Sequence, residues 1–205
     1  MGECHSVSQN SALHRAFDFS GAVLGLFCLG PLFCLIAAAI KMDDRGPVFY
    51  QQARVGRGFQ SFQVWKFRSM VIGADREGLL TEPGDARVTR VGRVLRRYKL
   101  DELPQLFNIL RGHMQFVGAR PEVERYVQMF RPEYAVILQD RPGITDPATL
   151  AYRHEDQVFS SGHMEEQYVK TILPAKLKLS LDYQKSRSFW SDLRIALQTV
   201  VVLFE

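Results

Sequence analysis

The 205-residue chain predicts an α+β fold, mainly helical, and three observations carry that expectation. An uncharged apolar run lies near the N-terminus, two short β-like runs flank a glycine-rich turn, and apolar residues recur at helical spacing through much of the remainder. A hydrophobic content of 46% is enough for one core in a chain of this length. The net charge of +4 and pI near 9.0 fit an anionic partner, and phospholipid, nucleotide and nucleic acid all qualify. Cys4 lies in a polar tail and Cys28 and Cys34 in the apolar run, without C-x-x-C or paired histidines, which excludes a disulfide framework and a zinc site. His5, His14, His113, His154 and His163 show no metal-ligand or triad spacing.

Residues 1–12 read as a disordered polar tail, 13–42 as a membrane helix and 43–205 as one soluble domain attached to that anchor. Phe19 to Ile40 is 22 residues without a charge, just sufficient to cross a bilayer core. Three forms fit it. A plain spanning helix is the default; Gly30-Pro31 near its middle permits a bent, re-entrant helix; and Ala37-Ala38-Ala39 resembles a signal-peptide cleavage site. Arg15 before the run and Lys41 and Arg45 after it leave orientation undecided, and cations on both sides suit a helix that enters and leaves by one face.

After the break at Gly46-Pro47, Val48 to Gln52 and Ser61 to Met70 form a predicted hairpin around Arg54-Val55-Gly56-Arg57-Gly58. Alternation places Lys66 and Arg68 on one face, opposite Trp65 and Phe67, so one face can meet an anion. An edge strand protected by its charges fits equally. From Arg87 to Lys99 there are six cations and no acid, with Val88, Val91 and Leu95 forming a narrow helical stripe. Two carboxylates follow, Asp101 and Glu102. Pro104 suits a first helical turn, so the helix ending before Gly112 should begin near Asp101, whose ionised form the helix N-terminus and Arg96, Arg97 and Lys99 would favour. An ionised aspartate under a polyphosphate-holding segment is a candidate nucleophile, whereas the bland reading makes Asp101 a helix cap and the arginines a solvated face.

His113 to Val117 reads as a strand, and Pro121 then opens a helix, placing Arg120 at a helix N-terminus suited to phosphate. An arginine beside a turn is also commonly just exposed. Arg131-Pro132 interrupts that helix, and Arg141-Pro142-Gly143-Ile144-Thr145 makes a second rigid turn carrying an arginine that can converge on the same ligand. Glu155 and Asp156 fall in a loop-like stretch. Met164 to Ile172 and Pro174 to Lys185 are helical runs split at Pro174, and Ser188 caps a third in which Phe189, Leu193, Leu197, Val200 and Phe204 recur. That last stripe suits either core packing or a surface-lying amphipathic helix on a bilayer.

Gly46-Pro47-Val48-Phe49-Tyr50-Gln51-Gln52, Arg54-Val55-Gly56, Lys66-Phe67-Arg68-Ser69-Met70, Asp101-Glu102-Leu103-Pro104-Gln105-Leu106 and Phe116-Val117-Gly118-Ala119-Arg120-Pro121-Glu122, in this order, resemble the bacterial sugar transferase family of monotopic phosphoglycosyl transferases. The resemblance implies transfer of a sugar 1-phosphate from a UDP-sugar to polyprenyl (undecaprenyl) phosphate with release of UMP, at the cytoplasmic face of the bacterial inner membrane, with Mg2+ as cofactor. It implies Asp101 as nucleophile in a ping-pong reaction, Glu102 as its partner and with Asp101 a metal ligand, and Arg96 as support for the two carboxylates. Lys66, Arg68, Arg120, Pro121, Glu122 and Arg141 complete the expected substrate-binding set. It also implies that the N-terminal helix is re-entrant and breaks at Pro31. Ala119 stands where many members have proline, a change that loosens the turn before Arg120, and Asp146-Pro147-Ala148 replaces a Gly-Trp continuation, a departure that bears on which sugar is carried. A phospholipid surface is an expected partner, an oligomer is left open, and the competing reading is a membrane-tethered phosphate- or nucleic-acid-binding module without catalysis. That alternative lacks exposed aromatics interleaved with the cations, so nucleic acid is not an expected partner.

Overall fold

The structure, a computed structural model, describes residues 11–78, 80, 81, 84–153 and 164–202. The tail before residue 11, Glu155, Asp156, His154, His163 and Phe204 lie outside the described residues.

Helix α1 (Ser11–Asp44) is longer at both ends than the predicted 13–42 and continues through Pro31. At 34 residues it is roughly 51 Å long. It is long and apolar enough to cross a membrane. Its course, however, follows the rest of the protein from end to end. Near its start the Arg15 guanidinium donates to the carbonyls of Ile109 (2.6 Å) and Leu110 (2.8 Å), and the Asp18 carboxylate accepts from the Phe116 amide (3.0 Å). Ala22, Leu26 and Leu29 then pack with Phe62, Val64, Leu106, Ile109 and Met114, and beyond Pro31 Leu32, Phe33, Ile36 and Ile40 pack with Phe67, Leu95, Leu100 and Leu103. At its end Asp44 is clamped by the buried Arg68 guanidinium, which also donates to the Pro47 carbonyl (2.6 Å). Packing on both sides of Pro31 offsets the one backbone bond the proline removes. The opposite face stays bare, with Leu24 62%, Phe27 82% and Leu35 68% exposed.

Strands β1 (Phe49–Val55) and β2 (Ser61–Phe67) form the expected hairpin, in antiparallel register from Phe49 opposite Phe67 to Val55 opposite Ser61. β1 runs through Arg54 and Val55, so the turn is shifted to residues 56–60. Helix α2 (Arg90–Arg97) is capped by Thr89, whose hydroxyl accepts from the Gly92 amide (2.9 Å). Glycine is required at position 92, because a Cβ there would lie 1.9 Å from the Ser69 carbonyl oxygen. Lys99, in the left-handed region at φ +53°, ends α2 and leads into a single 3-10 turn, Leu100–Glu102. Helix α3 (Gln105–Leu110) begins only after Pro104 and is stopped by Gly112 at φ +79°. Asp101 therefore precedes the helix instead of opening it.

Strand β3 (Gln115–Val117) pairs in parallel with β4 (Gly143–Thr145), a segment whose Pro-Gly composition reads as a turn. Between them lie α4 (Glu124–Met129) and α5 (Arg131–Ile137). Pro121 does not start a helix, because Val55 and Glu122 form an antiparallel bridge that keeps the backbone extended. After α6 (Pro147–Ala151), α7 (Met164–Gln167) passes through a π-turn (Tyr168–Ile172) into α8 (Leu173–Ser186) without the expected split, since the wider turn precedes Pro174. Tyr126, Val127, Tyr134, Ile137, Tyr168 and Leu177 make the core on this side. Helix α9 (Phe189–Val202) turns Asp192 and Ile195 inward, while Leu197 and Val200 of the predicted stripe are 60% and 53% exposed. Asp192 can face inward because Arg187 (2.6 Å) and Tyr183 donate to it.

Candidate active site

The described structure brings Lys66, Arg96, Asp101, Glu102 and Arg120 together from four segments. Lys66 comes from the end of β2, and its position is set from beneath by Asn108 of α3. The fully buried Asn108 side chain accepts from the Trp65 amide (2.9 Å) and donates to the Gln63 carbonyl (2.6 Å), serving β2 as a neighbouring strand would. Asp101 and Glu102 sit on the 3-10 turn, Arg96 on the last turn of α2, and Arg120 on the extended segment after β3.

The two carboxylates have opposite surroundings. Both oxygens of Glu102 are engaged: Oε1 by Lys66 Nζ (3.1 Å) and Arg120 Nη2, Oε2 by Arg120 Nη1 (2.9 Å). Burial acts to raise the Glu102 carboxyl, but Arg120 and Lys66 outweigh it and hold the group well below the ordinary carboxylate range. Asp101 is 6% exposed, and its Oδ1 has no hydrogen-bond partner among the described residues. Burial raises its carboxyl, and repulsion from Glu102 adds to this against the partial relief from Lys66 and Arg96. The expected helix-terminus stabilisation of an ionised Asp101 is thus corrected, since burial outweighs it. Arg96 spends Nη2 on the Thr81 hydroxyl (2.8 Å) and leaves Nη1 buried without a partner. A free acceptor and a free donor are therefore buried in one cluster.

The remaining expected residues lie elsewhere or are already committed. Arg68 leaves the hairpin face after Phe67 and serves the end of α1, because the strand and its alternation stop there. Glu122 accepts from Arg54 (2.5 Å), from the Tyr168 hydroxyl (2.7 Å) and from its own neighbour's amide at Val123 (2.9 Å). Burial opposes its ionisation, yet Arg54 and Tyr168 keep its carboxyl below the usual value. Pro121 is buried, and its carbonyl accepts from Arg54 (3.3 Å). Arg141 has Arg15, Arg57, Asp18 and Asp140 as its charged neighbours, and burial with the two cations lowers its pKa. It is not joined to the Glu102 cluster. Arg120 is a partner of Glu102 and not a helix-terminal residue. Asn108 and Tyr168 were not legible as site-building residues, although Asn108 stands two residues beyond the carboxylate motif.

Among the described residues, no group of three His, Cys, Asp or Glu side chains gathers to hold a metal. The donor set fits Mg2+ through the Asp101 carboxylate alone, because both oxygens of Glu102 face cations. Mg2+ commonly takes one or two carboxylates with substrate phosphates and water, so a single carboxylate is compatible with it.

A long apolar helix packed on an α+β domain, with a buried carboxylate pair among three cations, defines a class of protein suited to phosphate at a membrane surface. The chain belongs to the bacterial sugar transferase family, whose model matches residues 9–205. It is 39% identical over 197 residues to the undecaprenyl-phosphate glucose phosphotransferase of Komagataeibacter xylinus, covering 91% of this chain and 35% of that protein. It is 37% identical over 190 residues to the UDP-glucose:undecaprenyl-phosphate glucose-1-phosphate transferase of Caulobacter vibrioides, covering 91% and 67%. Identity to the exopolysaccharide production protein ExoY of Rhizobium meliloti is 38% over 172 residues, covering 76% of each chain. The chain spans about a third of the length of the Komagataeibacter relative.

Proposed function

We propose that this protein transfers a sugar 1-phosphate from a UDP-sugar to polyprenyl phosphate. The observation that carries the reading is the buried, unpartnered Oδ1 of Asp101, which feels the charges of Lys66 and Arg96. An Asp101 carboxylate oxygen attacks the β-phosphorus of the donor, the bond to the α-phosphate oxygen breaks, and UMP leaves with that electron pair. The polyprenyl phosphate oxygen then attacks the same phosphorus and releases Asp101, so that each covalent bond made is matched by one broken. Lys66, Arg96 and Arg120 neutralise charge on the transferring group. Glu102 holds Lys66 and Arg120 in position and, once phosphate draws these cations away, becomes free to accept a proton from the acceptor. Asp101 would hold Mg2+ through its open oxygen, and the ion would supply neutralisation of the diphosphate.

The re-entrant, monotopic topology belongs to the same reading. Both ends of α1 are fastened to one domain, through Arg15 at the start and Asp44 at the end, which supports both ends lying on the same, cytoplasmic, side of the inner membrane. The bare apolar face of α1 would meet lipid. Two structural observations weigh against the nucleic-acid alternative: Arg87 is drawn inward to the Ala74 (2.9 Å) and Leu80 (2.8 Å) carbonyls and to Asp85, and Arg96 to Thr81.

The test is UMP release from a panel of UDP-sugars with Mg2+ and polyprenyl phosphate, with initial rates measured against both substrates. Parallel double-reciprocal lines and a phosphosugar adduct on Asp101 are expected. Intersecting lines with no adduct would remove the covalent step, and the absence of turnover with every donor would remove the transferase reading.

A further inference from the structure

The cluster described above accounts for phosphate but leaves the nucleoside of the donor without a seat. In the hairpin register Tyr50 stands directly opposite Lys66, and Gln52 and Arg54 continue the same face of β1. Paired Cβ atoms across such strands are ~5 Å apart, so the phenol begins beside the lysine that meets Glu102. Tyr50 is half-buried, and its hydroxyl has no hydrogen-bond partner among the described residues. The other aromatic residues of the hairpin are engaged elsewhere: Phe49 pairs with Trp65 and Phe67, Trp65 also with Phe107, and Phe62 is in the core against α1 and α3.

Asp75 stands on the 3-10 turn Ala74–Glu77. Its negative charge, after burial, helps to raise the Tyr50 hydroxyl above its ordinary value, which places the two groups near each other. Asp75 is exposed and makes no ion pair among the described residues. An uncompensated carboxylate repels phosphate, so beside a phosphate-holding cluster it suits a neutral, hydroxyl-rich part of the ligand. A ribose diol has that chemistry, and carboxylates accept from ribose hydroxyls in other nucleotide sites.

We propose that Tyr50 and Asp75 form the nucleoside subsite, with the pyrimidine of the donor stacked on the Tyr50 ring and the ribose hydroxyls donating to Asp75. The inference rests on the UDP-sugar reading of the same site. The diphosphate extends from this subsite across Lys66 toward Asp101, which orients the β-phosphorus toward the carboxylate pair. Arg54 takes no direct part, since Glu122 and Gln52 hold its guanidinium.

The test uses the full-length protein in detergent or nanodiscs with Mg2+, and measures binding of UMP, 2′-deoxy-UMP and inorganic pyrophosphate. Tyr50→Leu should weaken UMP about 10-fold, a loss within the range measured for base–aromatic stacking, while Tyr50→Phe stays near wild type. Asp75→Asn should weaken UMP and largely abolish its advantage over 2′-deoxy-UMP, and neither substitution should alter pyrophosphate affinity. Equal UMP affinity in wild type, Tyr50→Leu and Asp75→Asn would overturn the subsite, as would a wild-type protein that binds UMP no better than pyrophosphate. Sugar-phosphate transfer measured alongside separates the two ideas. Transfer with unchanged UMP binding in the variants sinks only the subsite, whereas the predicted binding losses without any transfer in wild type sink only the transferase reading.

Discussion

Asp101 is a buried and Glu122 a largely buried carboxylate, each influenced by arginine, and the protein completes one and leaves the other open. Around Glu122, Arg54, Tyr168 and the Val123 amide meet the carboxylate, and its backbone bridges Val55. Around Asp101, one carboxylate oxygen and one nitrogen of Arg96 are buried with nothing to bond. A closed polar network specifies geometry, while an open one carries a desolvation cost that a ligand can relieve. The difference assigns architecture to Glu122, which the family motifs placed in the substrate-binding set, and leaves Asp101 open for the chemistry proposed for it.

The largest expected effect separates these roles outright. Asp101→Asn should lower UMP release by at least ~1,000-fold, since the proposed nucleophile is lost, yet leave thermal stability unchanged or raised because a buried charge is removed. A melting experiment beside the activity assay checks both halves, and a fully active Asp101→Asn protein would sink the assignment. Glu122→Ala should do the reverse in kind, costing ~3–5 kcal/mol in chemical denaturation by stranding Arg54 next to a buried hydroxyl. Retained stability there would mean that the Glu122 network is not the closed centre it resembles.

The pH responses of Asp101 and Glu102 should be opposed. The raised Asp101 carboxyl binds its proton more tightly in the folded protein, so its contribution to stability falls as pH rises above the ordinary 3.8, while the nucleophilic fraction grows. An acid limb of the rate profile displaced above that value is expected. The depressed Glu102 carboxyl stabilises the fold above its ordinary 4.5, and that contribution is lost as pH falls through its lower folded value. Asp101→Asn should therefore flatten only the first effect in stability–pH curves, and Glu102→Gln only the second. The smallest change expected is for Tyr168→Phe, about 1–2 kcal/mol from one hydrogen bond to a charged group, with kcat per folded molecule little altered. A large loss of turnover in that variant would blur the division between the two centres.

Much of this was legible in local sequence. The hairpin, the long apolar helix, the glycine stop at Gly112 and the Asp101-Glu102 pair each depend on neighbours within a few residues. What was hidden depends on partners far along the chain. Arg68 follows strand alternation only until Phe67, where Asp44, twenty-odd residues earlier, captures it. β4 is three residues long and is stabilised as a strand by β3, which no turn-forming composition can reveal. The apolar recurrence in α9 is genuine, but the polar anchors Arg187 and Tyr183 pull Asp192 inward and rotate the stripe outward. Asn108 reads as an ordinary polar residue in a helix until β2 is laid against it. For Asp101, the error was one of sign: sequence supplied the cations and omitted the burial.

The attachment of α1 along its whole length bears on how this protein can be handled. A soluble fragment beginning after Asp44 would not be an enzyme freed of its tether. It would lack one wall of its interior, uncovering Val64, Phe67, Leu95 and Ile109 to water and leaving Arg68 without its carboxylate. Anchor and domain fold as a single body, so a detergent or lipid disc has to replace what surrounds the helix while leaving the helix in place.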